Sequence, residues 1–158
     1  MRDVCRYIPH RPPMVLIDTI HDFADDRVTT TTHITPQAPF FRQEENGVPA
    51  WVGLEYMAQT AAVWIGLDDE RCGREVEPAF LVSSRQFTAS VPVFPAGETL
   101  YTQVQVHLVE QFIVVFNGRI TNAEGELRAE ALFTAYRPED VRAYLSKMTD
   151  TQPTGETE

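Results

Sequence analysis

Cysteine and basic residues are scarce in this chain, and each scarcity excludes a class of protein. The two cysteines, Cys5 and Cys72, have no CxxC spacing, so the sequence predicts free thiols rather than a disulfide framework. Lysine and arginine together number 13 against 23 acidic residues, and the resulting net charge of −10 repels nucleic acid and anionic membrane surfaces. We therefore expect no nucleic-acid partner.

Targeting, membrane and metal signals are also missing. The first residues lack the apolar core of a signal peptide, which favours a cytoplasmic protein. The apolar stretch 46–67 contains a proline and a glutamate, so it indicates a buried helix rather than a membrane span. The sequence has four histidines without metal-ligand spacing, and we expect neither a metal nor a redox cofactor. They are His10, His21, His33 and His107.

The size of the chain fits one domain. Its 158 residues are 43% hydrophobic, which is enough for a substantial core. We predict a single domain over residues 1–148, closing with a short helix over 141–148. The polar residues 149–158 are predicted to be a disordered tail.

Hydrophobic periodicity predicts one long helix among strands. The helical pattern covers residues 50–67, and a charged loop is expected over 68–77. Apolar alternation and β-branched residues predict six strands. They span residues 14–20, 27–34, 79–91, 98–109, 112–122 and 126–136. Each strand has one apolar face and the helix is apolar nearly all round, so we predict an α+β domain in which an antiparallel sheet of about six strands wraps around one long central helix.

One carboxylate stands out on the predicted helix. Glu55 is the single charged side chain of residues 46–67. A buried charge without a partner costs several kcal/mol or shifts its pKa, so this carboxylate is predicted to be neutralised, hydrogen-bonded or used in chemistry. The alternative is a helix carboxylate that simply reaches solvent. Gln59 follows by one helical turn, where its amide either orients Glu55, contacts substrate or makes a structural hydrogen bond.

Two segments resemble a known enzyme family. The segment Ile8-Pro-His-Arg-Pro-Pro-Met-Val-Leu-Ile-Asp18 resembles the opening of hot-dog-fold 3-hydroxyacyl-[acyl-carrier-protein] dehydratases. The segment Gly53-Leu-Glu-Tyr-Met-Ala-Gln59 resembles the part of their central helix that carries the catalytic glutamate. The similarity extends over roughly residues 7–144 and is greatest with the subfamily associated with aryl polyene pathways.

The resemblance implies a reaction and a partner. It predicts dehydration of 3-hydroxyacyl thioesters, carried on acyl carrier protein, to trans-2-enoyl thioesters. Glu55 then takes the position of the acid that helps the hydroxyl leave, while a histidine removes the C2 proton. The family's histidine follows a Phe-Phe pair, but here Phe40-Phe41 runs into Arg42 without one. A partner subunit supplies the base, or His10 does so; both a homodimer and a heterodimer with another hot-dog dehydratase remain open.

Other residues are predicted to contact substrate, and other functions compete. Backbone N–H groups of Ala50 and Trp51 at the helix start are expected to polarise the thioester carbonyl. Tyr56 and Gln59 are expected to line the substrate site, although core packing explains such residues equally well. The rival functions are a hot-dog acyl thioesterase, in which Glu55 activates water, and a non-catalytic acyl-binding subunit that supports a partner dehydratase.

Overall fold

The computed structural model describes residues 3–77 and 79–138, together with Ala143, Ser146 and Lys147. Its main element is a six-stranded sheet in which every neighbouring pair is antiparallel. The sheet strands are β1 (Thr19–Ala24), β2 (Arg27–His33), β4 (Phe80–Ala89), β6 (Thr99–Val109), β7 (Ile113–Thr121) and β8 (Leu127–Tyr136). Their spatial order is β1-β2-β6-β7-β8-β4, so β1 and β4 form the two edges.

The sheet curls around one helix, α1 (Gly53–Arg71), which a 3-10 turn (Ala50–Val52) precedes. Along β8 the side chains that point to the helix are small or aromatic and buried, and those between them are more exposed. Phe116 and Phe133 stack at 5.5 Å in the core. This confirms the predicted α+β arrangement of about six strands around a central helix.

Two short strands were not predicted from the sequence. Strands β3 (Gly47–Pro49) and β5 (Val93–Pro95) form a separate two-stranded sheet beside the start of α1. Their central residues, Val48 and Phe94, are fully buried. Each strand has three residues, which is too short for alternation to register, and prolines mark both as turn regions.

The predicted first strand, residues 14–20, is wrong for its first five residues. Strand β1 begins only at Thr19, and the chain from Met14 to Asp18 is irregular. Leu16 and Ile17 are buried because this segment packs on α1 rather than because it lies in the sheet. The apolar run therefore reported burial correctly, but periodicity cannot distinguish a buried irregular segment from a strand.

Helix α1 is longer than predicted, since residues 68–71 of the expected charged loop continue it. Asp69 is buried at this end and pairs with Arg74 and Arg137. A second difference lies on β6, where Leu108 is 47% exposed because a register shift after Val106 turns it out of the predicted apolar face.

The predicted helix 141–148 and the predicted tail 149–158 lie outside the described residues, apart from the helical positions Ala143, Ser146 and Lys147. Within the part of the chain that the structure describes, no helix is long and apolar enough to cross a bilayer. Cys5 and Cys72 are free thiols, as predicted.

Candidate active site

Glu55 lies in the first turn of α1 and remains in contact with solvent. The side chain of Glu55 is 38% exposed, so the apolar helix does not bury its charge as deeply as the sequence suggested. A negative charge in the first helical turn interacts favourably with the helix dipole. The carboxylate has two polar contacts: Gln59 Nε2 donates to its Oε1 at 3.3 Å, and His10 Nε2 lies 3.2 Å from the same oxygen.

Gln59 has an unambiguous orientation. Its Oε1 accepts the backbone N–H of Leu16 at 2.9 Å, and its Nε2 donates to the Met14 carbonyl at 2.9 Å. Because a backbone N–H can only donate and a carbonyl can only accept, the amide cannot be flipped. Gln59 is fully buried, and the second N–H of its amide points to Glu55 Oε1. Gln59 therefore joins Glu55 to the segment 14–16, and the prediction that it also contacts substrate stays a prediction.

His10 uses one ring nitrogen and buries the other. Its Nε2 faces Glu55, while Nδ1 is buried and has no hydrogen-bond partner among the described residues. Glu55 Oε1 already accepts from Gln59, so an unprotonated Nε2 would set a lone pair against that oxygen. We therefore assign the proton to Nε2, from the hydrogen-bond network. In this state the two nitrogen contacts of the Glu55 carboxylate, from Gln59 and His10, both go to Oε1.

The other three histidines lie on the sheet and make contacts there. His21, on β1, stacks edge-on against Tyr101 at 5.2 Å. His33, on β2, has Nδ1 3.0 Å from the Thr99 hydroxyl. His107, on β6, lies 3.5 Å from Asn117. All four histidines of the chain are among the described residues, and only His10 contacts Glu55 in this part of the structure.

Ala50 and Trp51, whose N–H groups were predicted to polarise the thioester, lie in the 3-10 turn before α1. The N–H of Ala50 already donates to the Pro92 carbonyl at 3.0 Å, so in this structure it does not point to a free site. The reason is tertiary: this bond continues the pairing of β3 with β5. Trp51 is 58% exposed one helical turn before Glu55, and its ring meets Phe40 at 5.9 Å.

Tyr56 lies in the core. It is buried, and its ring packs on Phe94 at 6.0 Å. It borders a separate cavity of about 290 Å³ that Asp18 and His33 also line. Burial, and then the nearby negative charge of Asp18, raise the pKa of the Tyr56 phenol. The structure therefore does not bring Tyr56 to the Glu55 site as a substrate contact.

A narrow apolar slot runs along α1 beneath the edge strand β4. It starts at Ala58, one turn after Glu55, and its other wall is Phe80 and Leu81. Small side chains on α1 keep the slot open on the helix side, and Leu81 leaves it partly exposed at the sheet edge. No group of three or more metal-ligating side chains occurs among the residues that the structure describes.

Gly66, inside α1, is a residue whose importance the sequence analysis missed, although a glycine within a helix is itself a signal of close packing. Glycine in a helix interior costs about 1 kcal/mol relative to alanine, so it usually has a packing reason. Here Tyr7 lies directly on Gly66: a Cβ atom at that position would be 2.8 Å from the Tyr7 ring. The N-terminal segment that carries His10 thus contacts the helix at two levels, Gly66 and Gln59.

A curled antiparallel sheet around one helix is the hot-dog fold, and the first-turn carboxylate lies where the resemblance puts the catalytic glutamate of hot-dog dehydratases. The sequence model of the ApeP-like family, described as ApeP dehydratase, matches residues 2–146. The chain belongs to this family. The predicted resemblance to hot-dog dehydratases near the aryl polyene subfamily is confirmed, and the protein is a dehydratase, hence a lyase.

Curated relatives agree with this family. A 3-hydroxyacyl-[acyl-carrier-protein] dehydratase FabZ from Thermomicrobium roseum is 34% identical over 142 residues, covering 85% of this chain and 91% of its own. The protein of the same name from Cereibacter sphaeroides is 31% identical over 135 residues, covering 82% and 84%.

Solved structures add one close and several distant neighbours. The dehydratase heterocomplex ApeI:P from Xenorhabdus doucetiae matches with a TM-score of 0.85 at 25% identity, covering 94% of this chain and 98% of the matched one. A hypothetical thioesterase from Streptococcus pneumoniae reaches a TM-score of 0.58 at 14% identity over 74% of this chain and 82% of the other. At that identity the likeness is one of fold alone, so it does not favour the thioesterase alternative.

Proposed function

We propose that this protein dehydrates 3-hydroxyacyl thioesters carried on acyl carrier protein, as the glutamate-bearing subunit of a heterodimer with a second hot-dog dehydratase. The observation that carries the proposal is the state of Glu55: Oε1 is held by His10 and Gln59, and Oε2 is left to face substrate. A carboxyl group that is fixed through one oxygen is suited to deliver a proton from the other.

The reaction balances with Glu55 as the acid. A base removes the proton from C2, the C3–O bond breaks, and the hydroxyl leaves as water with the proton of Glu55 Oε2. The electrons of the C2–H bond become the C2=C3 double bond of the 2-enoyl thioester. Glu55 ends as a carboxylate and the base ends protonated, so one proton returns to Glu55 before the next turnover.

His10 does not suit the role of the base. A base needs an open lone pair that faces the substrate, but Nε2 of His10 is directed at Glu55 and Nδ1 is buried. The remaining histidines make their contacts on the sheet. We therefore assign His10 to holding Glu55 and expect the base to be a histidine of the partner subunit. The heterocomplex composition of the structural neighbour ApeI:P supports such a pairing.

The slot beside β4 lies at a sheet edge where a partner can bind. It is lined by apolar side chains and starts one turn after Glu55, but its volume is only about 10 Å³, so in this single chain it is too small to hold an acyl chain. Strand β4 is a sheet edge of ten residues, and an unpaired edge readily accepts a neighbouring strand. A second subunit that pairs there would close the slot. The names of the curated relatives support acyl carrier protein as the carrier, and such a reaction suits the predicted cytoplasmic location.

The test is a mass-spectrometric assay with a 3-hydroxyacyl thioester on acyl carrier protein. The protein is assayed alone and with a histidine-bearing hot-dog dehydratase, as wild type and as Glu55→Gln. We expect 2-enoyl product from the wild-type pair only, with Glu55→Gln inactive but still assembled on size-exclusion chromatography. Product from the wild-type chain alone would return the role of base to His10. Release of free acid in place of 2-enoyl product would support thioester hydrolysis, and an active Glu55→Gln pair would reduce this chain to a supporting subunit.

A further inference from the structure

The segment that carries His10 is attached to α1 on both sides of this residue. Residues 7–16, which we call the N-terminal strap, begin at Tyr7, whose ring and Cβ lie on Gly66. The Tyr7 hydroxyl donates to Glu70 Oε2 at 2.9 Å. Tyr7 is 2% exposed, so this first attachment is a packed contact rather than a surface one.

The second attachment is the amide of Gln59. It binds the strap through two backbone groups, Met14 O and Leu16 N, each at 2.9 Å. The same amide donates to Glu55 at 3.3 Å. His10 lies between the two attachments, and its 3.2 Å contact with Glu55 therefore depends on where the strap is held.

We infer that Gly66 and Gln59 are positioning residues, which set the reactive carboxyl group of Glu55 through the strap and His10. The inference rests on the proposed role of Glu55 as the acid. Gly66 thereby has a role in catalysis, although this residue lies three turns away from Glu55 and contacts no reacting group.

The space at Gly66 explains how the effect is transmitted. A Cβ atom at this position would lie 2.8 Å from Tyr7 Cδ1, 2.9 Å from Tyr7 Cβ and 3.2 Å from Tyr7 Cα. Two of these atoms belong to the backbone or are bonded to it, so the strap itself must move. Gln59 keeps the other end of the strap in place at Met14 and Leu16, so a displacement at Tyr7 has to be taken up by the residues between them, which include His10. A hydrogen bond weakens steeply as its distance and angle depart from the optimum.

The direct test is Gly66→Ala in the assembled heterodimer. We expect kcat to fall about tenfold while KM stays within about twofold, because substrate contacts are unchanged and only the acid is misplaced. Tyr7→Ala removes the attachment without crowding it and should give a loss of the same kind, which keeps the test valid if Gly66→Ala fails to fold. Tyr7→Phe is the matched control, since it keeps the ring on Gly66, and should change kcat much less.

A double-mutant cycle separates positioning from general damage. If Gly66 acts through His10, Gly66→Ala should cost nothing further in a His10→Ala background. An additive loss in the double variant would overturn the inference, since it would mean that Gly66→Ala harms the enzyme by another route.

A spectroscopic readout keeps the inference independent of the proposed reaction. The imidazole signals of His10, assigned by comparison with His10→Ala, should shift in Glu55→Gln, and Gly66→Ala should move them in the same direction. Unchanged His10 signals in Gly66→Ala would overturn the inference even if the assay succeeds. Shifted signals together with an inactive wild type would support the positioning arrangement and reject the proposed reaction.

Discussion

Replacing Gln59 with glutamate exchanges only the side-chain NH2 group for an oxygen, yet the structure predicts a large loss of stability. The new side chain still accepts the Leu16 N–H, but it has no N–H for Met14 O or for Glu55 Oε1. A net contribution of about 1 kcal/mol for each lost hydrogen bond gives roughly 2 kcal/mol. The site is fully buried, so the cost of a charge there comes in addition.

That second cost depends on pH, and its sign follows from linkage. Burial and the neighbouring Glu55 both favour the neutral form, so the pKa of the introduced carboxyl rises in the folded state above its unfolded value of about 4.3. A rise of about 2 units adds roughly 2.7 kcal/mol. The folded state then holds its proton more tightly than the unfolded state. The deficit relative to wild type is therefore smallest below about pH 4.3 and grows to roughly 5 kcal/mol as the pH rises through the folded-state pKa.

Urea unfolding of Gln59→Glu and wild type at pH 5 and pH 8 measures both parts. Gln37→Glu, at an exposed position, is the matched control for adding one negative charge to a chain that already carries −10. We expect the control to remain within about 0.5 kcal/mol of wild type at both pH values. The reasoning fails if Gln59→Glu unfolds at the same urea concentration as Gln37→Glu at pH 8, or if its deficit does not grow between the two pH values.

Two further predictions concern buried groups away from the strap. Because burial first and the charge of Asp18 second raise the pKa of Tyr56, its phenol favours the folded state in the neutral form. This contribution of Tyr56 to stability is present below about pH 10 and is lost as the pH rises further. A difference titration at 295 nm between wild type and Tyr56→Phe should show phenolate from Tyr56 only as the protein unfolds. Asp69 is 3% exposed and pairs with Arg74 and Arg137, which themselves retain access to water. Asp69→Asn should therefore lower the free energy of unfolding by about 2–3 kcal/mol in urea titrations, and a cost equal to that of the exposed control Asp22→Asn would contradict the importance of this network.

The central helix and the long strands were predictable because their signals are local. Residues of β8 alternate between apolar and polar with the period of a strand, and the stretch around Glu55 carries one charge in a continuous apolar run. Such patterns record burial, which each segment shows on its own. The same run singled out Glu55 as the candidate catalytic residue, and the resemblance of two motifs to hot-dog dehydratases predicted the family that the chain belongs to.

The contacts of the site were decided only in three dimensions. His10 and Glu55 lie 45 positions apart in the sequence. Nothing in that spacing indicates that Nε2 of His10 contacts Oε1 of Glu55, or that Nδ1 of His10 is buried. The apolar residues 14–17 read as a strand because periodicity reports burial but not the partner, which here is the helix. The N–H of Ala50 donates to the carbonyl of Pro92, just before β5, and Gly66 packs against Tyr7; neither contact could be inferred from sequence spacing. The sequence by itself determined the central helix, the long strands and the candidate catalytic carboxylate. The tertiary structure decided which groups contact that carboxylate, because those contacts join residues far apart in the chain.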